Sequence, residues 1–365
     1  LKAAWAATTK YGLRSTEDPT LYNVEIPGPR HRNYNGLEFS DKRKMDSNEF
    51  LAGIQMEYYR SRIEHLRSLG VTCMIVGATT WGDSEVLSLY TNAITSDYVD
   101  SHYYYQYPRG GLRYEPGLTT NGHPSSMLDN TDLGIVGLMV NRTVYGMPHT
   151  ISEWNSCLPN PYTSEAMLLV PSYSRLQGLH PILFEWGGDT TSTIFTEQRE
   201  IDPTLNHISL FVTVDAWSRP DISNAYPAAS LLFLRQDVKE SENGYYPTRL
   251  RGNDVFDRRK QYFSSSCSLG MIGKTGMIFN DKKYDEQCND NDVLYLAKQG
   301  EKSGLFVSET GEMATDFNQK LFRLNTSKSQ AMAGFAKGVN IEFDDITMKL
   351  DNSYATVYLS SLTNE

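Results

Sequence analysis

The feature that most constrains this chain is an alternation of short apolar runs with helix-length stretches. YVDSHYYY (98–105), HTISEWN (149–155) and PILFEWGG (181–188) are strand-like, and between them 131–146 and TSEAMLLVPSYSRLQGL (163–179) have helical spacing. VTCMIVGAT (71–79) reads as a continuous apolar strand of the kind buried on both faces. TLYNVEI (20–26) reads as a short strand closed by Pro27, Gly28 and Pro29. A cap at Asp46 or Ser47 opens a long helix to about residue 69, with Phe50, Ile54, Tyr58, Ile63 and Leu66 near helical spacing. Residues 1–10 read as the end of a helix, and 206–218 and 226–235 as two more. Buried strands alternating with helices predict a parallel α/β arrangement.

After about residue 240 the pattern changes to short β-like runs, GLFVSE (304–309), KLFRLN (320–325) and ATVYLSS (355–361), separated by Gly, Asn and Asp turns. That predicts two parts, an α/β domain over 1–240 and an antiparallel β-sandwich domain over 241–365. The first part shows about five strands, whereas a closed barrel needs eight. Either three strands lie before Leu1, another chain or segment completes the barrel, or the sheet is open. No Gly-rich phosphate loop follows any strand, which argues against a nucleotide-binding open sheet. The chain opens at Leu1 without a Met or a signal-peptide pattern, which fits a processed or trimmed N-terminus.

Composition narrows the partners. The net charge of −10 lacks the concentrated basic surface that a nucleic acid requires, and it gives no charge-driven reason for membrane contact. The 23 Tyr, 14 Phe and 5 Trp suit core packing and equally a surface on which sugar rings stack. Cys73, Cys157, Cys267 and Cys288 show no zinc-ligand spacing; Cys73 reads as a buried thiol, and Cys267 and Cys288 could pair. NDND (289–292) offers oxygen ligands for calcium, although a solvated loop is the commoner fate of such a run.

Chemistry concentrates at the expected strand ends. Asp100, His102 and Tyr104, then Glu153, Trp154 and Asn155, then Glu185 and Trp186 fall on three successive strands, whose C-terminal ends would converge on one mouth in a parallel barrel. A carboxylate beside an apolar strand costs free energy unless it is partnered or functional. Glycosidic cleavage uses such groups, one attacking or activating water and another protonating the leaving oxygen. Singly, each has a plainer reading: a salt bridge for the Glu, a hydrogen-bonded structural role for His102, core packing for Trp186. The joint decoration of three strands favours a site.

HTISEWN followed by PNPYTSEAMLLVPSYSRLQGLHPILFEWGG resembles the seventh- to eighth-strand stretch of retaining clan A glycoside hydrolases, with agarase-like, polysaccharide-degrading members the nearest in look. DYVDSHYYYQYP (97–108) is similar to their sixth-strand segment, YPAASLLFLRQDVK (226–239) to the helix and exit after their barrel, and LFRLNTSKSQAMAGFAKG (321–338) to their β-domain. The resemblance runs from about residue 11 to the end. It implies a (β/α)₈ TIM barrel, with strands four to eight in this chain, followed by an all-β sandwich. It implies Glu153 as nucleophile, His102 and Tyr104 lining the sugar site, and Trp186 stacking on the sugar; Trp154, Asn155 and Trp81 join the substrate-binding set. The family's acid/base Glu, in an Asn-Glu pair after the fourth strand, is replaced here by Pro27, Gly28, Pro29, Arg30 and His31. The acid/base is therefore unassigned: Glu25 lies a few residues early, and Glu38 and Glu49 would need a rearranged loop. The implied activity is retaining hydrolysis of a polysaccharide, an agar-type galactan being one candidate, without a cofactor, by a secreted or cell-surface protein. The alternative is a non-catalytic carbohydrate-binding or structural protein on the same scaffold.

Overall fold

A computed structural model of the chain describes residues 14–25, 39–79, 85–106, 125–157, 160–183, 216, 219–250, 252–257, 266–279 and 290–363. The fold is mixed α/β, with several sheets. Helix α1 (Asp41–Ser68) is capped by Ser40, whose side chain accepts from Arg43 N–H, and carries Asp41 in its first turn and His65 and Arg67 in its last. Those charges complement the helix dipole. The face it buries after the first turns is Asn48, Ala52 and Tyr59, against α2 (Glu85–Thr95) and the turn Gly252–Phe256. Ile54 and Tyr58, on the opposite side of the helix, are exposed.

Two expected strands do not form. Residues 20–25 hold part of a tight 3₁₀ turn (Pro19–Leu21) followed by irregular chain, with Tyr22 at φ +59. Residues 71–79 are irregular too. In both places side chains take the backbone groups that a strand ladder would use. Thr20 N–H donates to Asp18, Asp18 N–H to Asn23 and Glu25 N–H to Glu17. Farther along, Ile75 N–H donates to Asp97, Gly77 and Ala78 N–H to Asn92, and Arg67 donates to the carbonyls of Val71 and Cys73. Such local bonds compete directly with sheet pairing. Cys73 and Met74 are consequently exposed, so Cys73 is not the buried thiol that the apolar run suggested.

The described parallel sheet has the order β1 (Val99–Tyr105), β2 (His149–Ser156), β3 (His180–Leu183). Between β1 and β2 runs α3 (Ile135–Asn141), and between β2 and β3 runs α4 (Ala166–Gln177). Helix α4 is almost entirely buried and ends at Gly178, whose φ of +71 suits a residue without a Cβ. Tyr103, Tyr105, Ile151 and Trp154 share one core with residues of these helices. The short α5 (Pro220–Ser223) and α6 (Tyr226–Leu234) follow. The expected helix at 206–218, apart from residue 216, and the second half of the expected strand 181–188 lie outside the described residues.

Residues 244–303 are not the purely β stretch that was expected. They form β4 (Gly244–Leu250), α7 (Ser266–Ile272), β5 (Lys274–Phe279) and α8 (Asn291–Ser303), with β4 and β5 parallel. Met277 of β5 bonds to the chain just before β2, accepting from Tyr145 N–H and donating to Thr143. The antiparallel sheet begins at β6 (Leu305–Val307) and continues with β7 (Met313–Asp316), β8 (Leu321–Asn325) and β9 (Ser329–Gly334). A hairpin of β10 (Asn340–Glu342) and β11 (Thr347–Lys349) precedes β12 (Ala355–Ser360), which pairs beside β9 to give the order β12-β9-β8-β7-β6. The same hydrophobic core runs from the helices of the parallel sheet to Phe306, Phe322, Leu324 and Ala331 of this sheet. Among the described residues, no helix is long and apolar enough to cross a membrane.

Candidate functional site

The parallel sheet has two unlike faces. One is the core face against α3 and α4. The other carries Asp100, His102 and Tyr104 of β1, and Ser152 and Glu153 of β2. These residues run along the strands rather than clustering at their C-terminal ends, since Asp100 is the second residue of β1. The register pairs Asp100 with Thr150 but His102 with Glu153 and Tyr104 with Asn155, so an extra residue is inserted in β2. Such a bulge re-aims side chains. Here it brings Ser152 and Glu153, neighbours in sequence, both within reach of β1.

Glu153 is the centre of the arrangement. Its Oε2 accepts from Tyr104 O–H and lies 3.0 Å from His102 Nδ1. Nothing among the described residues bonds Oε1. The side chain is 30% exposed, against 15% for His102. Among the described residues the carboxylate is thus held by one oxygen only. Behind it, His102 Nε2 is 2.9 Å from Ser152 Oγ, which donates to Asp100 Oδ2 at 2.7 Å. Asp100 Oδ1 accepts from Thr150 Oγ1 at 2.5 Å and Ser152 N–H at 3.0 Å.

The expected substrate-binding residues divide. His102 and Tyr104 join Glu153. Asn155, in register with Tyr104, is wholly buried, with its Oδ1 3.4 Å from Arg219 Nη1. Trp154 points into the core face and is 4% exposed, which leaves it no surface for a sugar; this corrects its place in the binding set. Its orientation follows from the strand alternation that turns Glu153 the other way. Trp81, Glu185 and Trp186 lie outside the described residues, as do Glu38 and Cys288.

Glu25 has partners of its own. It accepts from Arg14 at 3.0 Å, and its carbonyl accepts from Arg43, which also clasps Glu17 with two bonds. That is an ion-pair cluster in which Glu25 is a partner of Arg14. Glu49 is exposed on α1. Ser152 and Thr150 were not singled out by sequence, because an unbroken period of two would have put Ser152 and Glu153 on opposite faces.

Other polar signals resolve locally. Asp290 of the NDND run caps α8, accepting from Asp292 and Val293 N–H. Among the described residues no group of three or more His, Cys, Asp or Glu could hold a metal ion. Cys267 is a free thiol directed at Asp132 O, and its candidate partner Cys288 lies outside the described residues. Comparison with protein-family models, with curated proteins and with solved structures finds no match to this chain.

Proposed function

We propose that this protein is a retaining glycoside hydrolase acting on a polysaccharide, with Glu153 as its nucleophile. One observation supports this most: Oε2 of Glu153 is engaged by Tyr104 and His102, while Oε1 has no partner among the described residues. A nucleophile of this class must be ionised, aimed and uncovered at the attacking oxygen. In the reading we propose, the parallel sheet belongs to a (β/α)₈ barrel and the antiparallel sheet to a β-sandwich behind it. The helices then lie outside and the polar face of β1 and β2 turns toward the barrel interior, where enzymes of this architecture work. Glu153 Oε1 attacks the anomeric carbon, the glycosidic oxygen departs with a proton from an acid, and water resolves the glycosyl-enzyme with return of that proton. The acid is unassigned. A polymeric substrate suits a secreted or cell-surface enzyme, and an agar-type galactan is the first polymer to test.

A second reading, non-catalytic carbohydrate binding on the same scaffold, draws support from the absent Asn-Glu pair and from the Arg14 and Arg43 contacts of Glu25. A polysaccharide panel with product analysis separates the two. Hydrolysis is expected for at least one polymer, with turnover abolished in Glu153→Gln and binding retained. Undiminished cleavage by Glu153→Gln removes the nucleophile assignment; binding without cleavage by the unaltered protein favours the second reading.

A further inference from the structure

The two groups on Oε2 of Glu153 differ in what fixes them. Tyr104 reaches the carboxylate directly, whereas His102 depends on a neighbour of Glu153 itself. Asp100 is 4% exposed, and its Oδ1 already accepts two bonds, from Thr150 Oγ1 and Ser152 N–H. Its Oδ2 accepts from Ser152 Oγ at 2.7 Å. A serine hydroxyl has a single hydrogen. With that hydrogen on Asp100, Ser152 Oγ can only accept from His102 Nε2, 2.9 Å away. Nε2 therefore bears a hydrogen. The other ring nitrogen, Nδ1, is 3.0 Å from Glu153 Oε2. An imidazole lone pair and a carboxylate lone pair repel at that distance, so the contact is bonding only with a proton between them.

We propose that Asp100 and Ser152 are positioning residues that act through His102. They fix the ring with Nε2–H on Ser152 and Nδ1 on Glu153, and the proton between Nδ1 and Oε2 anchors one carboxylate oxygen. Oε1 is left as the oxygen that meets the substrate, a role that rests on the hydrolase reading above. The relay Asp100–Ser152–His102–Glu153 is itself a matter of hydrogen-bond geometry and stands apart from that reading.

The test is a nitrogen NMR spectrum of the ¹⁵N-labelled full chain, with His102 assigned from its Gln variant. The unaltered protein is expected to show Nε2 in the protonated range. In Asp100→Asn the new NH₂ group donates to Ser152 Oγ and turns the hydroxyl hydrogen toward Nε2. The Nε2 resonance is then expected to move to the unprotonated range. Ser152→Ala should speed exchange of Nε2–H with water, and Ser152→Thr, which keeps the hydroxyl, should restore the slow rate. The second readout is reducing-sugar release from agarose. There Asp100→Asn is expected to lower kcat roughly 10-fold with KM changed less than about 2-fold, as for an interaction made in the transition state. An unprotonated Nε2 in the unaltered protein, or an unchanged Nε2 in a folded Asp100→Asn variant, overturns the relay. If the unaltered protein releases no sugar from agarose, agarose hydrolysis fails, while the nitrogen spectra still decide the relay.

Discussion

His102 and His149 are joined to neighbouring side chains of the same small sheet, yet their surroundings set them different tasks. His102 lies on the polar face between Ser152 and Glu153. His149 is 2% exposed, with Nε2 2.9 Å from Ser101 Oγ and no partner for Nδ1 among the described residues. Burial pushes its pKa down from 6.5 to about 4, with Asp100 opposing weakly through its charge. A folded-state value below the unfolded one means that protons bind preferentially to the unfolded chain. The stability from neutral His149 is thus fully present above about pH 6.5 and is lost as pH falls through about 4. The effect amounts to at most about 3 kcal/mol. His149→Gln, which keeps a polar side chain but cannot be protonated, should gain urea midpoint relative to the unaltered protein as pH falls from 6.5 to 4. An unchanged slope would assign that acid sensitivity elsewhere. At this scale the sequence was informative where strand alternation held. Asp100, His102, Tyr104 and Glu153 were legible as polar residues on apolar strands, and Trp154 was legible in principle as facing the other way. Ser152 was not, because a bulge has no signature in a period-two pattern.

At the scale of elements, the strands β1 and β2 were read correctly, the parallel pair β4 and β5 was missed, and strands were over-read where side chains intervene. HTISEWN and YVDSHYYY pair with each other as β2 and β1. VTCMIVGAT has the stronger strand composition and still does not form one. Apolar β-branched content states a preference, but a strand also needs a ladder partner, and sequence periodicity does not say whether one arrives. The competing partner here is largely Asn92. Its Oδ1 accepts from Gly77 and Ala78 N–H, and its Nδ2 donates to Ala78 O and Ser88 O. Asn92 is fully buried, and its loss removes the partner of Ala78 N–H and Ala78 O, while Gly77 N–H keeps Ser96 Oγ at 3.0 Å. Asn92→Ala should destabilise the protein by about 1–3 kcal/mol in urea unfolding. It should also raise amide exchange at Ala78 above that of β1. Exchange unchanged at this amide would show that another group holds the segment. The long helix α1 carries the same lesson. Its existence and its end near residue 69 were readable, but its start was not: the cap is Ser40, and Asp46 and Ser47 lie inside the helix. Nor was the face it turns inward, because Asn48, Ala52 and Tyr59 are less apolar than the Ile54 and Tyr58 side that stays exposed.

At the scale of the whole molecule, the parallel and antiparallel sheets are joined by more than a linker. Tyr173 of α4 packs on Phe322 of β8 and shares a 2.7 Å hydrogen bond with Thr315 of β7. Buried Asp237 accepts from both Arg235 and Ser329, tying the exit of α6 to β9. The third connection is a buried carboxyl. Glu165, at the start of α4, accepts from Ser126 Oγ at 2.6 Å, from Met127 N–H at 2.5 Å and, more distantly, from Tyr354 O–H beside β12. It therefore gathers three segments that are far apart in sequence, and its side chain is fully buried. Burial raises its pKa from 4.5 to about 8, because desolvation of the anion outweighs the hydrogen bonds from Ser126, Met127 and Tyr354, and the nearby charge of Asp129 adds to the rise. The sign is opposite to that of His149. The folded chain holds this proton more tightly than the unfolded one, so the contribution is fully present below about pH 4.5 and is lost as pH rises through about 8. Glu165→Gln cannot ionise and keeps an oxygen for Met127 and an amide for Ser126. Its urea midpoint should stay level from about pH 7 to 9, above the range in which His149 acts, while that of the unaltered protein declines over the same range. Near-ultraviolet circular dichroism should report the same loss around Tyr354, since that phenol shares Glu165 Oε2 with Ser126. Parallel declines in the two proteins would mean that Glu165 stays ionised throughout, with its three donors sufficient to hold a buried anion.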